Sequence, residues 1–261
     1  MSIPQLTVLL PFYNEQGFLH KTLRSLALQR GADFDVLLLD NGSTDHSVAE
    51  AMAELAAAPQ LCARMMSVSV PGKTNALAAG LAELEAPWVA VCDADTYYPP
   101  DYMLRVLSLF KSHPNAVAVM AIDVPDMPGT QKANARIRHV LSKARRYPDR
   151  CHAGGYAQAY STRALRAAGG FDAVRWPWVL EDHEIIHRLH ALGPSVYDAN
   201  HVCITSTRRT DRRRVSWTWS ERLLYRHLPR RTMDWFFYRY LAAKLSRRGA
   251  VSTALRERPW M

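Results

Sequence analysis

Two carboxylates separated by one alanine, Asp93 and Asp95, directly follow the apolar run at residues 88–92. That run predicts a buried strand, and on an extended chain side chains two residues apart point to the same side. Two hard oxygen ligands at a strand end suit Mg²⁺ or Mn²⁺, which usually complete their coordination shell with substrate phosphates. An isolated Asp-x-Asp is more often a solvated turn. Here the preceding strand and the aromatic pair Tyr97 and Tyr98 favour a site for metal and phosphate.

A third carboxylate, Asp40, follows the apolar run at residues 36–39. The Asn-Gly pair after it is typical of a tight turn, and Ser43 or Thr44 is a suitable helix cap. In this interpretation Asp40 has no capping role. We therefore predict that its carboxylate accepts hydrogen bonds from a base or a ribose.

Lys73 lies in a Pro-Gly-Lys-Thr sequence that resembles part of a phosphate-binding loop. The complete pattern requires a glycine five positions before Gly72, where this chain has Ser67, and a GxGxxG pattern is also absent. Both nucleotide-binding fingerprints therefore fail. Lys73 begins a predicted helix, and it is either a phosphate contact or an ordinary surface lysine.

Residues 183–187 match HExxH, the signature of zinc hydrolases. On a helical wheel the histidines lie opposite the apolar face, which is typical of a solvated surface, whereas Asp182 falls on the apolar side. An inward carboxylate needs a partner or a chemical role, so we predict that Asp182 is a general base. Glu181 is explained by the helix dipole. A zinc hydrolase built on His183, Glu184 and His187 is the alternative.

Strand-like and helix-like segments alternate in the first half of the chain, which predicts an α/β fold with a mostly parallel sheet covered by helices on both faces. Such sheets bind ligands beyond the carboxyl ends of their strands, where Asp40, Asp93 and Asp123 would meet. The predicted strands are 6–10, 36–39, 65–70, 88–92 and 116–122, and the predicted helices are 17–29, 44–57, 73–84, 100–110, 131–146, 181–192, 213–228 and 233–248.

Composition is that of an ordinary globular protein, with 48% hydrophobic and 22% charged residues. No apolar run approaches the roughly 18–20 residues that span a bilayer. The short apolar stretch near the first residue lacks the features of a signal peptide or an anchor. The four cysteines form no CxxC pair, which predicts reduced thiols in a cytoplasmic protein.

The net charge of +9 is concentrated near the end of the chain, where the last 61 residues contain 15 basic and 4 acidic side chains. Such a segment predicts an anionic partner. Its interleaved aromatics fit helices that lie on the inner face of an anionic membrane, beside a lipid-linked acceptor. They fit equally a segment whose aromatics pack on the core. No nucleic acid is expected, because no recognised module accompanies the charge. A non-catalytic binding module is a further alternative.

Several motifs, taken in order, resemble those of family 2 glycosyltransferases, which are inverting enzymes of the GT-A fold. Glu181-Asp182 is similar to the ED motif of that family, and the likeness extends over about residues 4–205. The other matching motifs are Pro-Phe-Tyr-Asn-Glu at 11–15, Asp-Asn-Gly-Ser-Thr-Asp at 40–45, Lys73 with Ala-Leu-Ala at 76–78, Asp-Ala-Asp at 93–95, and the segment from 154–155 through Arg163 to Gly-Gly-Phe-Asp at 169–172.

The resemblance implies a role for each matching residue. Asp182 would take the proton of the acceptor hydroxyl, and Asp95 would bind Mn²⁺ or Mg²⁺, with His201 as a further candidate ligand by position. Asp93 would contact the ribose or phosphate side of the donor. The remaining residues expected to bind the nucleotide sugar are Pro11, Tyr13, Glu15, Asp40, Lys73, Ala94, Arg208 and Arg209.

The resemblance also implies an organisation and a reaction. Residues 1–205 would form the GT-A core, with a nucleotide-binding half to about 125 and an acceptor-binding half from about 126, and residues 206–261 a basic, aromatic helical extension. The expected reaction is metal-dependent, inverting transfer of one sugar from a nucleotide-diphosphate sugar, with UDP-sugars favoured, in cell-envelope glycan or glycolipid synthesis. The QxxRW signature of polymer-forming members is absent.

Overall fold

A computed structural model describes residues 3–206 and 217–253 of the chain. Its centre is a sheet of eight strands in the order β3-β2-β1-β4-β7-β6-β8-β5. The strands are β1 (Leu6–Phe12), β2 (Phe34–Asp40), β3 (Ala63–Ser67), β4 (Trp88–Val91), β5 (Thr96–Tyr97), β6 (Ala118–Asp123), β7 (Gln158–Ser161) and β8 (Ser195–Thr205).

The first four strands of that order are parallel, so their carboxyl ends share one rim. In this half β1 lies between β2 and β4: Phe12 pairs with Asp40 of β2, and Leu9 pairs with Val91 of β4. Every residue of β1 is buried, as expected for a strand covered on both faces. β7 then runs antiparallel to both β4 and β6, while β6 and β8 are parallel. The predicted parallel sheet is confirmed in the first half, and the second half is mixed.

Helices cover both faces of the sheet, and their bounds are close to the predicted ones except for a short helix at Thr162–Ala167, which was not predicted. The second helix begins at Ser47 and not at residue 44, because the Ser43 hydroxyl accepts a hydrogen bond from the Asn14 N–H (3.2 Å) instead of capping a helix. The helices before residue 206 are α1 (Leu19–Ala27), α2 (Ser47–Ala57), α3 (Lys73–Ala82), α4 (Tyr102–Ser112), α5 (Gln131–Arg146), α6 (Thr162–Ala167) and α7 (Glu181–Leu189), with a short 3₁₀ turn at Gly155–Ala157.

Helix α3 approaches the parallel strands most closely at Gly80. A Cβ at this position would lie 2.8 Å from Leu39 Cδ1 and 2.9 Å from Leu9 Cδ2. Both leucines are fully buried, so they have little room to move away. This contact sets the distance between α3 and the sheet, and it therefore also sets the position of Lys73 at the start of the helix.

Gly80→Ala is expected to destabilise the protein by about 1–3 kcal/mol through overpacking. The melting temperature should fall by about 2–4 °C for each kcal/mol in a chain of this size. Ala82→Ser, at an exposed position of the same helix, is the control and should change stability by about 0.5 kcal/mol at most. Equal melting temperatures for the two variants would contradict this close packing.

The C-terminal extension packs on the loop that precedes α7. Its elements are α8 (Trp219–His227), α9 (Met233–Trp235), a π-helical segment (Phe236–Leu241) and α10 (Ala242–Arg247). Phe236 and Phe237 are fully buried in a cluster with Trp176, so the interpretation in which the aromatics pack on the protein is confirmed for them. Trp219 and Trp235 remain 78% and 50% exposed. In the described ranges, no helix combines the length and apolar character that crossing a membrane requires.

Candidate active site

The loops that follow β1 and β2 are joined by hydrogen bonds at the rim of the sheet. The Glu15 N–H donates to Ser47 Oγ (2.7 Å), and Asn14, whose φ is 52°, accepts at its side chain from the Thr44 N–H (2.8 Å). Asp40 Oδ1 accepts from the Ser43 N–H at 2.9 Å. Asp40 caps no helix, because α2 begins at Ser47, but its carboxylate does shape the turn after β2, a role that was not predicted.

The predicted nucleotide-binding residues of this region lie on or next to β1 and β4. Pro11 is buried within β1, opposite Leu39 of β2, and Glu15 is 4% exposed. Tyr13 is half-buried, and Ala94 is buried between the two aspartates of the Asp-Ala-Asp sequence. The structure thus brings these residues to the shared rim of the parallel strands.

Asn41 positions Lys73. From the sequence alone, Asn41 was predicted only to form a turn. Its side-chain amide donates to the carbonyls of Val68 (3.0 Å) and Val70 (2.7 Å) and accepts from the Gly72 N–H (2.7 Å). These bonds hold the segment after β3 and the residue before α3. The sequence carries no signal for this role, because a tight turn alone explains the Asn-Gly pair.

Lys73 and Asp93 form an ion pair at the centre of the rim, with Nζ 2.5 Å from Oδ1. Burial opposes the charge of Lys73, but the carboxylates of Asp93 and Glu181 outweigh it and raise the lysine pKa. Lys73 is half-buried in this arrangement. The interpretation of Lys73 as an ordinary surface lysine is therefore wrong.

The 3₁₀ turn brings Asp182 to the same place. The Gly155 N–H donates to Asp182 Oδ2 at 2.9 Å. A Cβ on Gly155 would lie 3.4 Å from both Asp182 Cβ and Lys73 Nζ, so glycine allows all three to meet. Leu180, with a φ of 68°, turns the chain into α7. The carboxylate of Asp182, the ammonium of Lys73 and the carboxylate of Asp93 therefore form one cluster around this glycine.

The two acidic residues that begin α7 differ in acidity. Burial raises the pKa of Glu181 to about 7, and the neighbouring charge of Asp182 acts in the same direction. For Asp182 the cost of burial is exceeded by the attraction of His183, whose Nδ1 lies 2.9 Å from Oδ1, and of Lys73, so its pKa is lowered. Asp182 is thus the stronger acid of the pair.

The raised pKa of Glu181 predicts a pH-dependent stability. A carboxyl whose pKa rises on folding contributes stability at low pH and loses that contribution as the pH rises through its folded value, here about 7. Glu181→Gln is therefore expected to melt about 2–4 °C above the wild type at pH 8, corresponding to about 1 kcal/mol, and within 1 °C of it at pH 5. Glu85→Gln, at an exposed position, is the control. An equal shift at both pH values would show that Glu181 is not the titrating group.

The side chains of the HExxH segment have separate partners. His187 Nε2 lies 2.7 Å from Asp234, while Glu184 accepts from Arg188 (2.8 Å) and from the Tyr238 hydroxyl (2.5 Å). The histidine side of α7 is covered by aromatic rings of the extension, so the predicted solvated face is wrong. Throughout residues 3–206 and 217–253, no three His, Cys, Asp or Glu side chains are placed to hold a metal. The zinc hydrolase alternative therefore has no support here.

Asp95 and His201, the predicted metal ligands, have different surroundings. Asp95 is half-buried, and its carbonyl accepts from the Ser206 N–H (3.1 Å) at the end of β8. His201 is fully buried with its ring 4.4 Å from that of Tyr102, and burial lowers its pKa to about 3. The structure gives His201 an aromatic contact on α4 and no place in a group of three ligands in the described chain. Arg208 and Arg209 lie outside the described residues.

A cavity of about 500 Å³ opens beside the Lys73–Asp182 cluster. Asp93, Glu181 and Asp182 line one side. The other side is formed by α5, the segment after it and α8, and its strongly basic character was not predicted from the sequence. The basic residues on this wall are Arg136, Lys143, Arg150, His152, Arg222 and Arg226.

The sequence profile of glycosyl transferase family 2 matches residues 7–169, more than half of the chain, so the chain belongs to this family. A curated relative, the undecaprenyl-phosphate 4-deoxy-4-formamido-L-arabinose transferase of Erwinia tasmaniensis, is 27% identical over 146 residues, which are 55% of this chain and 45% of that protein. The succinoglycan biosynthesis protein ExoO of Rhizobium meliloti is 26% identical over 128 residues, 49% and 36% of the two chains. The chain thus spans less than half the length of these relatives.

Solved structures show the same fold at low sequence identity. The mannosyltransferase PcManGT from Pyrobaculum calidifontis, in complex with GDP-Man and Mn²⁺, has a TM-score of 0.70 and 17% identity, covering 94% of this chain and 70% of that one. Residues 1–349 of S. aureus TarS, in complex with UDP-GlcNAc, have a TM-score of 0.62 and 15% identity, covering 94% and 72%. The chain therefore has the fold of these glycosyltransferase structures, the GT-A type that the motifs implied.

Proposed function

We propose that this glycosyltransferase transfers a single sugar, with inversion, from a nucleotide-diphosphate sugar to an acceptor hydroxyl. The observation that carries the proposal is the cluster of Lys73, Asp93 and Asp182 around Gly155, at the rim where the parallel strands end. It combines a cation for the departing diphosphate with an ionised carboxylate for the attacking hydroxyl. With Asp182 as the base for the attacking hydroxyl, the reaction is a single displacement, which inverts the anomeric carbon.

In this proposal the donor lies along the rim of β1, β2 and β4. Pro11, Tyr13 and Glu15 border the base and Asp40 hydrogen-bonds to it, while Asp93 and Ala94 border the ribose and phosphates. The guanidinium groups of Arg208 and Arg209 suit phosphate oxygens, and they follow Ser206, whose N–H reaches Asp95. We favour a UDP-sugar. The two neighbouring structures contain UDP-GlcNAc and GDP-Man, so both bases are to be tested.

In this proposal the Asp95 carboxylate would hold Mn²⁺ or Mg²⁺ together with phosphate oxygens of the donor. Carboxylate oxygens near a phosphate are the ligands such ions take, and Asp95 is accessible from the rim. A bound ion would neutralise charge on the leaving diphosphate. Asp95 holds it in this proposal, whereas His201, buried against Tyr102, is the weaker of the two predicted ligands.

The acceptor belongs in the cavity beside Asp182, and we propose a lipid-linked acceptor of a cell-envelope glycan or glycolipid. The Erwinia relative is named for transfer to undecaprenyl phosphate. The exposed Trp219 and Leu223 of α8, next to Arg222 and Arg226, would contact an anionic membrane surface.

A donor screen tests this proposal. The full chain is incubated with Mn²⁺ and UDP-, GDP- or dTDP-sugars, and nucleotide release is followed with a coupled assay. Release from one nucleotide class, abolished by EDTA and restored by Mn²⁺, is expected. If no sugar nucleotide were consumed, with or without added cell-envelope lipids, the proposed donor chemistry would be wrong.

A further inference from the structure

Among the described residues, three cations on the basic wall of the cavity lack the carboxylate partners that neighbouring arginines have. Arg136 pairs with Asp123 (2.6 Å), Arg150 with Asp149 (2.6 Å), and Arg248 with Glu221 (3.1 Å). Within residues 3–206 and 217–253, no such ion pair involves Lys143, Arg222 or Arg226, although all three line the cavity. We call these three residues the basic cluster.

The basic cluster is assembled by tertiary packing. Lys143 lies on α5 one turn beyond Val140, which packs in an apolar cluster with Ile122 and Val202. The position of α8 against the end of α5 is fixed by the buried Arg150, whose guanidinium donates to the carbonyls of Tyr225 (2.6 Å) and Leu228. The Tyr225 hydroxyl also accepts from the Cys151 N–H (2.8 Å).

Packing therefore holds like charges together. Burial and the charges of Arg226 and Arg136 lower the pKa of Lys143, so the three cations repel one another without a ligand. Glu221, the nearest acidic residue in sequence to Arg222, is already engaged by the Thr218 N–H (2.8 Å) and Arg248. Such a cluster on a cavity wall favours an anion, and arginine pairs favour phosphate oxygens in particular.

The basic cluster and the proposed donor site lie on different sides of β4 in the sheet. β1 and β2 lie on one side of β4, whereas β6 and β8, which support α5, lie on the other. Asp93 and Lys73, beside β4, stand between the two. An anion at the basic cluster is thus on the acceptor side of the reacting centre, on the assumption that the proposed function is correct.

We propose that Lys143, Arg222 and Arg226 bind a phosphate or diphosphate group of the acceptor, whose hydroxyl lies beside Asp182. The phosphate is a binding group and not the nucleophile. A phosphate oxygen is already ionised near neutral pH and needs no base, whereas a hydroxyl does. The acceptor class is therefore a phosphate-bearing molecule with a free hydroxyl, from a lipid or a soluble source.

Binding of three probes to the full chain tests the proposal: N-acetylglucosamine 1-phosphate, farnesyl phosphate below its micelle concentration, and neutral N-acetylglucosamine. Binding is measured calorimetrically with and without UDP and Mn²⁺. At least one phosphate probe should bind, and the double variant Arg222→Ala/Arg226→Ala should weaken it at least about tenfold, as expected for charge-assisted hydrogen bonds. Arg222→Lys/Arg226→Lys should restore most of the affinity.

Lys21→Ala/Lys111→Ala removes the same charge at exposed positions of α1 and α4 and should stay within twofold of the wild type. Preference for farnesyl phosphate identifies a lipid source, and preference for the sugar phosphate a soluble one. Equal binding of phosphate probes to the double variant, or binding of the neutral sugar as tightly, overturns the proposal. If the wild type binds the phosphate probes but not UDP, the proposed donor site is wrong, whereas the proposed phosphate subsite is retained.

Discussion

Asp182→Asn is expected to lower the turnover number by about 10²–10⁴-fold, the usual contribution of a positioned general base. Asparagine keeps an oxygen that accepts from the Gly155 N–H, so the turn that carries Gly155 is retained. It has no ionisable group to take the hydroxyl proton. Nucleotide affinity should stay within twofold of the wild type, because the proposed donor site lies on the opposite side of Lys73. The measurement is single-turnover sugar transfer, or nucleotide release to water, from the best donor found in the screen.

Asp234→Asn is the matched control for this variant. Asp234 also contacts a histidine of α7, but its side chain is 82% exposed and it is not part of the cavity wall. Its turnover number should be within twofold of the wild type. Glu181→Gln distinguishes the roles of the two carboxylates of the pair, and this variant should retain most activity. Full activity of Asp182→Asn together with a large loss in Glu181→Gln would assign the base to Glu181 instead.

Lys73→Met is expected to reduce kcat/KM by about 10²–10³-fold, the loss found when one preorganised charge-stabilising group is removed from an active site. The substitution preserves much of the side-chain volume but leaves Asp93 without the cation 2.5 Å from its Oδ1. It also removes a charge that lowers the pKa of both Glu181 and Asp182. Both carboxyls should therefore become weaker acids.

This second effect distinguishes Lys73 from a purely structural residue. The acidic limb of the pH–rate profile should move to higher pH in Lys73→Met, because Asp182 must be ionised to act. Lys21→Met, at an exposed position of α1, removes the same charge and should shift neither the rate nor the profile. An unchanged acidic limb in Lys73→Met would show that Lys73 does not act on the carboxylate pair.

Local pattern was sufficient for the parallel half of the fold. Each of β1, β2 and β4 contains a short apolar run, which is typical of a strand that is buried on both faces of a sheet. The reversal of β7 was not predictable, because Gln158–Ser161 carries no directional signal. The start of α2 was misplaced because Ser43 bonds to a loop 29 residues earlier in the chain.

Some residues of the candidate site were also predictable from the sequence, and others were not. Asp93, Lys73 and Asp182 could be found because each stands at the end of a strand or the beginning of a helix, where an ionisable group is hard to explain otherwise. Gly155 and Asn41 could not, because their importance depends on which backbone approaches them. The basic cluster was hidden for a related reason: Lys143 and Arg226 are 83 positions apart, and each alone is typical of a solvated helix.

The covered histidine face of α7 illustrates the limit of a helical wheel. The wheel correctly separated Ile185 and Ile186 from the histidines. It did not show that the aromatic rings of Trp217 and Phe237 would cover the other side, because those contacts come from a segment 30 to 50 residues later. A helix packed on two sides has no solvated face to identify.

Calorimetric titration of UDP and GDP, with and without Mn²⁺, on the wild type and Asp95→Ala tests whether the donor binds at this rim. One nucleotide is expected to bind in a Mn²⁺-dependent manner, and Asp95→Ala is expected to lose this dependence while its melting temperature is unchanged. Asp101→Ala, which removes an acidic residue from the start of α4, should bind like the wild type. Failure of UDP and GDP to bind in the presence of Mn²⁺, or Mn²⁺-dependent binding that survives Asp95→Ala, would contradict a donor site at the rim of β1, β2 and β4.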